Sequence, residues 1–228
     1  MSGVGTLNEK SLHSQLKQWL ATPEDAFEVP IDRFVIDLVR SNGDLVEVQT
    51  RNLGAMRIKL EALLDQHHIT VAVPLPVEKW LIKIDDDGVV LDRRRSPKKM
   101  RHLSVCSELM RIPDLLAHSN LTILAMLIHE EEVRKFKPEK RRGRGGWGGV
   151  ERSLLEVVEV WEIATPFDLL AYLPDLGSQF TTADVARCGE ISRRIAGQVA
   201  YCLRRSGVAR VVDKVGNGHM YELNPDSA

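Results

Sequence analysis

The chain has 228 residues, 43% hydrophobic and 28% charged, which is enough apolar material for a packed core and allows one large domain or two modest ones. No apolar run reaches the ~18–20 residues needed to cross a bilayer, and residues 1–10 lack the apolar stretch of a signal peptide. Three widely spaced cysteines (Cys106, Cys188, Cys202) without a CxxC pair argue against a disulfide framework or a cysteine-rich zinc site, and suit packing roles in a reducing cytoplasm.

In chain order, residues 8–21 place Leu12, Leu16, Trp19 and Leu20 at helical spacing, and Thr22-Pro23 ends that helix. Three extended segments follow at 27–30, 33–40 and 44–50, the last two separated by an Asn42-Gly43 turn signal. Helical period returns over 53–66, and the continuous apolar run 69–74 reads as a buried strand. A strand is expected at 80–84, helical spacing interrupted by Pro113 at 104–117, and a long apolar strand at 121–128. This order defines a mixed α/β domain over residues 1–137. Residues 138–152, rich in Gly and Arg, read as a basic linker, and a second domain occupies 153–228. Residues 154–163 fit either strand or helix. Beyond them come a capped helix opening at Thr165-Pro166, a short helix 183–188, a longer amphipathic helix 191–206 and a hairpin across Gly216-Asn217-Gly218.

The net charge of −1 hides two basic segments. Residues 93–101 carry six cations and no acid; residues 133–152 carry eight against two acids. Local charge of this kind suits a polyanion, and equally suits solvated loops. Arg93, Arg94, Arg95, Lys98 and Lys99 form one candidate phosphate clamp. Arg141, Arg142 and Arg144 with Trp147 form another, able to track a backbone and stack on a base. Arg193, Arg194 and Gln198 on the amphipathic helix are candidates for base edges, and Lys214 and His219 flank the hairpin tip.

The candidate chemistry lies in the first hairpin. Asp37 interrupts an apolar strand, and Glu47 and Gln49 share one face of the next, opposite Val46 and Val48. A tight turn lays Glu47 near Asp37, and two such carboxylates suit a hard cation such as Mg²⁺. They equally fit an edge strand and a wet hairpin face.

At these residues the chain resembles the PD-(D/E)XK, or restriction-endonuclease-like, nuclease superfamily, whose core runs helix, three antiparallel strands, helix, strand. The resemblance covers about residues 8–130 and rests on a short motif, Asp37 with Glu47-Val48-Gln49, together with the element order. It implies a mixed sheet flanked by helices and Mg²⁺- or Mn²⁺-dependent endonuclease chemistry on DNA. Asp37, Glu47 and Glu9 would hold metal, Gln49 would orient water, and Lys59 would supply the charge of the family's lysine. That lysine is Gln49 here, a departure that puts cleavage in question. The last 60 or so residues resemble bacterial winged helix-turn-helix domains, which implies delivery of double-stranded or branched DNA. Pairing of such nucleases implies a homodimer, and without a GxxxxGK[ST] motif any ATP-driven step belongs to a helicase or ATPase partner. The rival readings are a catalytically inactive DNA-binding regulator or adaptor in a DNA-processing or defence complex, and a pure protein-interaction scaffold.

Overall fold

The computed structural model describes residues 11–137 and 146–224. Helix α1 (Leu12–Leu20) precedes an antiparallel meander of β1 (Ala26–Ile31), β2 (Phe34–Val39) and β3 (Leu45–Val48). A 3₁₀ turn and α2 (Arg57–Leu63) lead to β4 (Ile69–Ile84), which runs parallel to β3. A short β5 (Val90–Arg95) pairs with the second half of β4. After a 3₁₀ turn, α3 (Cys106–Leu109) and a further 3₁₀ turn at Pro113–Leu115, β6 (Leu121–Lys137) lies parallel to β4, and β7 (Gly146–Ile163) returns antiparallel to β6. The sheet order is β1-β2-β3-β4-β6-β7, with β5 beside β4.

Two apolar layers sandwich this sheet. Leu12, Leu16 and Leu20 of α1 meet Leu38, Val46, Val48, Ala72, Met126 and Ile128 on one face. On the other face α2 and α3 cover Leu45, Ile69, Val71 and Ile123. Burial on both faces explains why β4 and β6 open as unbroken apolar runs, the pattern of central parallel strands.

The C-terminal region comprises a 3₁₀ helix (Pro166–Tyr172), β8 (Gln179–Phe180), α4 (Thr182–Cys188), α5 (Arg193–Arg205), β9 (Ala209–Val215) and β10 (Gly218–Leu223). Its three strands form a separate sheet, β8-β10-β9. Thr181 and Asp184 make the expected capping box on α4, and Thr165 and Asp168 make another on the 3₁₀ helix.

Several boundaries differ from those the sequence suggested. The strands expected at 69–74 and 80–84 are one strand, β4, with a register shift between Pro76 and Glu78. Residues 104–117 form short turns because Pro113 cannot continue a helix. Of the expected linker, 138–145 fall outside the described residues, while 146–152 are the first part of β7. Residues 154–163 complete that strand within the first sheet, because β6 offers them a full ladder of partners. The two regions also share one core: Leu103, Val105 and Cys106 pack in the same cluster as Leu169, Phe180, Ile195 and Leu203. No helix among the described residues is long and apolar enough to cross a membrane.

Candidate functional site

The register that pairs Leu38 with Val46 places Asp37 opposite Glu47, and the register of β1 places Glu28 on the other side of Asp37. Three acids therefore stand in a row across three strands. Glu28 has a φ of 53°, a left-handed conformation that costs a non-glycine residue energy. The pleat breaks at the same level: Ile36 points into the α2-side core, while Leu38, two residues on, points into the α1-side core. Asp37 is thereby turned edgewise, and its Oδ2 accepts the Val48 N–H at 2.8 Å.

Each acid meets a basic side chain, and Lys17 serves two of them. His13 Nε2 stands 3.1 Å from Asp37 Oδ2, and Lys17 Nζ stands 3.5 Å from Oδ1 and also contacts Glu28. From the opposite side, Lys59 Nζ donates to Glu47 Oε1 at 2.7 Å and to the Val35 carbonyl at 2.8 Å. Burial pushes the Asp37 carboxyl up, but the hydrogen bonds from His13 and Val48 and the charges of His13 and Lys17 outweigh it, so its pKa lies below the ordinary value. Glu47 goes the other way: burial, with Asp37 nearby, raises it further than Lys59 can offset.

The expected grouping of Asp37, Glu47 and Lys59 is present. Gln49 is not part of it, because its side-chain amide donates to the carbonyls of Arg51 and Asn52 and braces the turn before α2. Glu9 lies outside the described residues. The donors present do not fit Mg²⁺ or Mn²⁺, which need several free oxygens converging on one point. Both oxygens of Asp37 are engaged, Lys17, Lys59 and the His13 ring surround the pair, and no group of three or more His, Cys, Asp or Glu able to hold a metal occurs among the described residues.

Of the first basic segment, Arg93 and Arg95 lie over the Trp80 ring and pair with Glu131 and Glu78. They serve the β4–β5 ladder, while Arg94, Lys98 and Lys99 are exposed. Arg141, Arg142 and Arg144 fall outside the described residues. Trp147, expected on a flexible linker, sits on β7, edge-on to Phe136 with Lys83 over its ring. On α5, Arg193 and Arg194 are exposed at the first turn. Gln198, expected to be exposed beside them, is instead tucked against Met110, its Nε2 3.3 Å from the sulfur, because α5 packs on α3. Lys214 and His219 face each other across the hairpin next to its turn, as expected. The structure also gathers basic groups far apart in sequence: Lys98, Lys99, Arg111 and Arg194 line one groove of about 450 Å³, with Gln198 and one carboxylate, Glu108, which lies 3.7 Å from Arg111.

Sequence reasoning missed the partners. His13 and Lys17 lie one turn apart on α1, a spacing that puts both on one helix face. Glu130 and Glu132 belong to an acidic run of three, Glu130 is fully buried, and both are ion-paired. The alternation Glu130, Glu132, Arg134 along one strand was the available signal, since residues two apart share a face.

No solved structure matches this chain. An uncharacterised protein of Treponema pallidum (strain Nichols) is 32% identical over 232 residues, a stretch covering 97% of this chain and 88% of the relative. The family described as a domain of unknown function, DUF8091, matches residues 10–164. That span opens just before α1 and closes just after β7, taking in the whole seven-stranded sheet and the acid row on it, and on it this chain belongs to the DUF8091 family.

Proposed function

We propose that this protein binds duplex or branched DNA as a regulator or adaptor, on a nuclease-like sheet whose acid pair is locked into the structure. The observation that carries this reading is the groove in which Lys98 and Lys99 of the first region meet Arg111 and Arg194. Four cations converging from three chain segments suit a phosphate backbone better than scattered surface charge does. The arrangement of β8, α4, α5, β9 and β10 resembles a winged helix-turn-helix with α5 in the recognition position. Arg193 and Arg194 at the first turn of α5 offer charge contacts, which position a duplex rather than read its sequence, and Gln198 lies half-buried along the same groove.

Cleavage is the second reading, favoured by Lys59 lying on Glu47 as a lysine from a following helix would. It requires His13 and Lys17 to give up Asp37.

One experiment separates the two. Anisotropy with duplex and branched DNA at about 50 and about 200 mM salt should show affinity falling steeply. Removing one cation that neutralises a phosphate should lower the salt slope by about 0.9. Lys98→Ala/Lys99→Ala and Arg193→Ala/Arg194→Ala should each flatten that slope. Salt-insensitive or absent binding would leave the interaction-scaffold reading. Metal-dependent cutting that disappears in Asp37→Ala and Glu47→Ala would establish the nuclease instead.

A further inference from the structure

Beyond Val48, where β3 ends, β4 runs on, met along that stretch by Met100 N–H on the Pro76 carbonyl at 3.0 Å and Ser96 N–H on the Lys79 carbonyl at 2.8 Å before β5 takes over. The Ala72 carbonyl takes the last hydrogen bond from the chain leaving β3, donated by Gln49 N–H. Alternation turns Pro74 and Pro76 toward the same side, and neither has an N–H to offer a further strand. A cavity of about 380 Å³ opens against this edge. Sites for small ligands run from about 300 to 1,000 Å³.

Five cations line it, Arg51, Lys79, Lys98, Arg134 and Arg152, against a single carboxylate, Glu108. Three of the five are held from behind. Lys79 Nζ lies 2.6 Å from Glu130 Oε1 and 2.9 Å from Glu132 Oε2. Arg152 Nε donates to Glu130 Oε2 at 3.1 Å, and Arg134 Nε donates to Glu132 Oε1 at 2.8 Å. Glu130 is fully buried, and its Oε1 receives no well-directed hydrogen bond despite the nearby lysine. Buried carboxylates that fix the cations of a cavity wall are the supporting groups a preorganised anion site requires. They do not exhaust the charge: Arg51 and Lys98 have no ion-pair partner among the described residues. Apolar surface from the half-buried Pro76 and Met100 lines the same space and suits a ring more than a bare ion.

We propose that this cavity binds one nucleoside monophosphate unit, its phosphate among the guanidinium groups and Lys98, its ring against the β4 wall. The unit is a free nucleotide or the terminal nucleotide of a strand. The cavity shares Arg51 and Arg152 with a second opening that reaches His13, and Lys98 with the groove toward Arg194, so a strand ending here has a way out on either side. The inference goes beyond DNA binding and does not need it.

Calorimetry on the full chain tests it with AMP, dTMP, inorganic phosphate and unphosphorylated thymidine. The monophosphates should bind and thymidine should not. Arg51→Gln/Arg134→Gln should weaken the monophosphates at least tenfold while leaving duplex affinity unchanged, because neither residue lines the duplex groove. Circular dichroism checks that this variant folds, and Arg51→Gln alone, at an exposed residue without a carboxylate partner among the described residues, should give a partial loss in the same direction. Tighter binding of a 5′-phosphorylated than a 5′-hydroxyl oligothymidylate assigns a strand end; equal binding of the two, with monophosphates still bound, assigns a free nucleotide. Wild-type protein that binds no monophosphate, or a double variant that binds as tightly as wild type, overturns the proposal. Loss of duplex binding with monophosphate binding intact removes only the DNA reading.

Discussion

Lys59 and Glu47 form an enclosed ion pair at the acid row, with side chains 19% and 8% exposed. Removing one partner of such a pair leaves an uncompensated charge in a low-dielectric setting, so Lys59→Met should destabilise the fold by about 3 kcal/mol in urea titrations. Asp37 and Glu47 have opposite pH signatures. Asp37 is held below its ordinary value, so it adds stability above about pH 4 that disappears as the pH falls through its folded-state value. Glu132 behaves likewise, because Lys79 and Arg134 outweigh the burial that would raise it. Glu47 is raised, so its contribution is fullest at low pH and is lost as the pH rises through its folded-state value. Asp37→Asn should therefore flatten the acid limb of the stability–pH curve, while Glu47→Gln should reduce the loss on its upper side. Urea midpoints collected from about pH 3 to pH 7 check both signs.

At the scale of elements, α4 is only seven residues long and depends on its cap. Thr181 Oγ1 accepts the N–H groups of Ala183 and Asp184, and Asp184 Oδ2 in turn accepts the Thr181 N–H. Helices this short are not stable alone. Thr181→Ala should cost about 1 kcal/mol, and Thr181→Ser should restore most of it, as urea midpoints would show. The α5 helix is committed more deeply. Its apolar stripe buries Ile195, Val199 and Leu203, Ala196 and Ala200 are buried too, and Arg205 reaches Asp114 of the first region. A helix clasped in this way cannot leave the body of the protein without opening the core, so on the proposed DNA reading it meets a duplex in place, through Arg193 and Arg194 exposed at its first turn.

Across the whole molecule, that shared core couples the regions. Cys106 of α3 and Cys202 of α5 are both fully buried, and the Cys202 thiol and burial together hold the Cys106 thiol well above its ordinary value. Neither should react with a thiol reagent until the core opens, while the partly exposed Cys188 should react sooner. The four tryptophans lie on α1, β4 and β7, so their fluorescence follows the first region, and Cys202 labelling follows α5. Coincident urea midpoints from the two probes are expected; separated midpoints would show that the regions unfold independently.

Local patterns are legible wherever a segment's neighbours are close in sequence. The spacing of Leu12, Leu16 and Leu20 marks α1, Asn42-Gly43 marks the β2–β3 turn, and Thr181 with Asp184 marks α4. Alternation also places Glu47 opposite Val46 and Val48, and the expected approach of Lys59 to Glu47 is present. Residues 146–163 are not legible in the same way because a strand's length is set by its partner: β6 supplies the ladder, and nothing within the segment announces it. The same holds for ionic partners. Whether Asp37 coordinates a metal or meets His13 and Lys17, and whether Glu130 faces water or anchors Lys79 and Arg152, depends on which strands and helices lie beside it. The sequence by itself determined α1, the β1–β3 meander, the cap of α4 and the mixed α/β class, since those follow from local periodicity and turn chemistry. Only the tertiary structure decided where the charges go, because a buried charge is tolerated only with a partner, and its partner comes from a distant part of the chain.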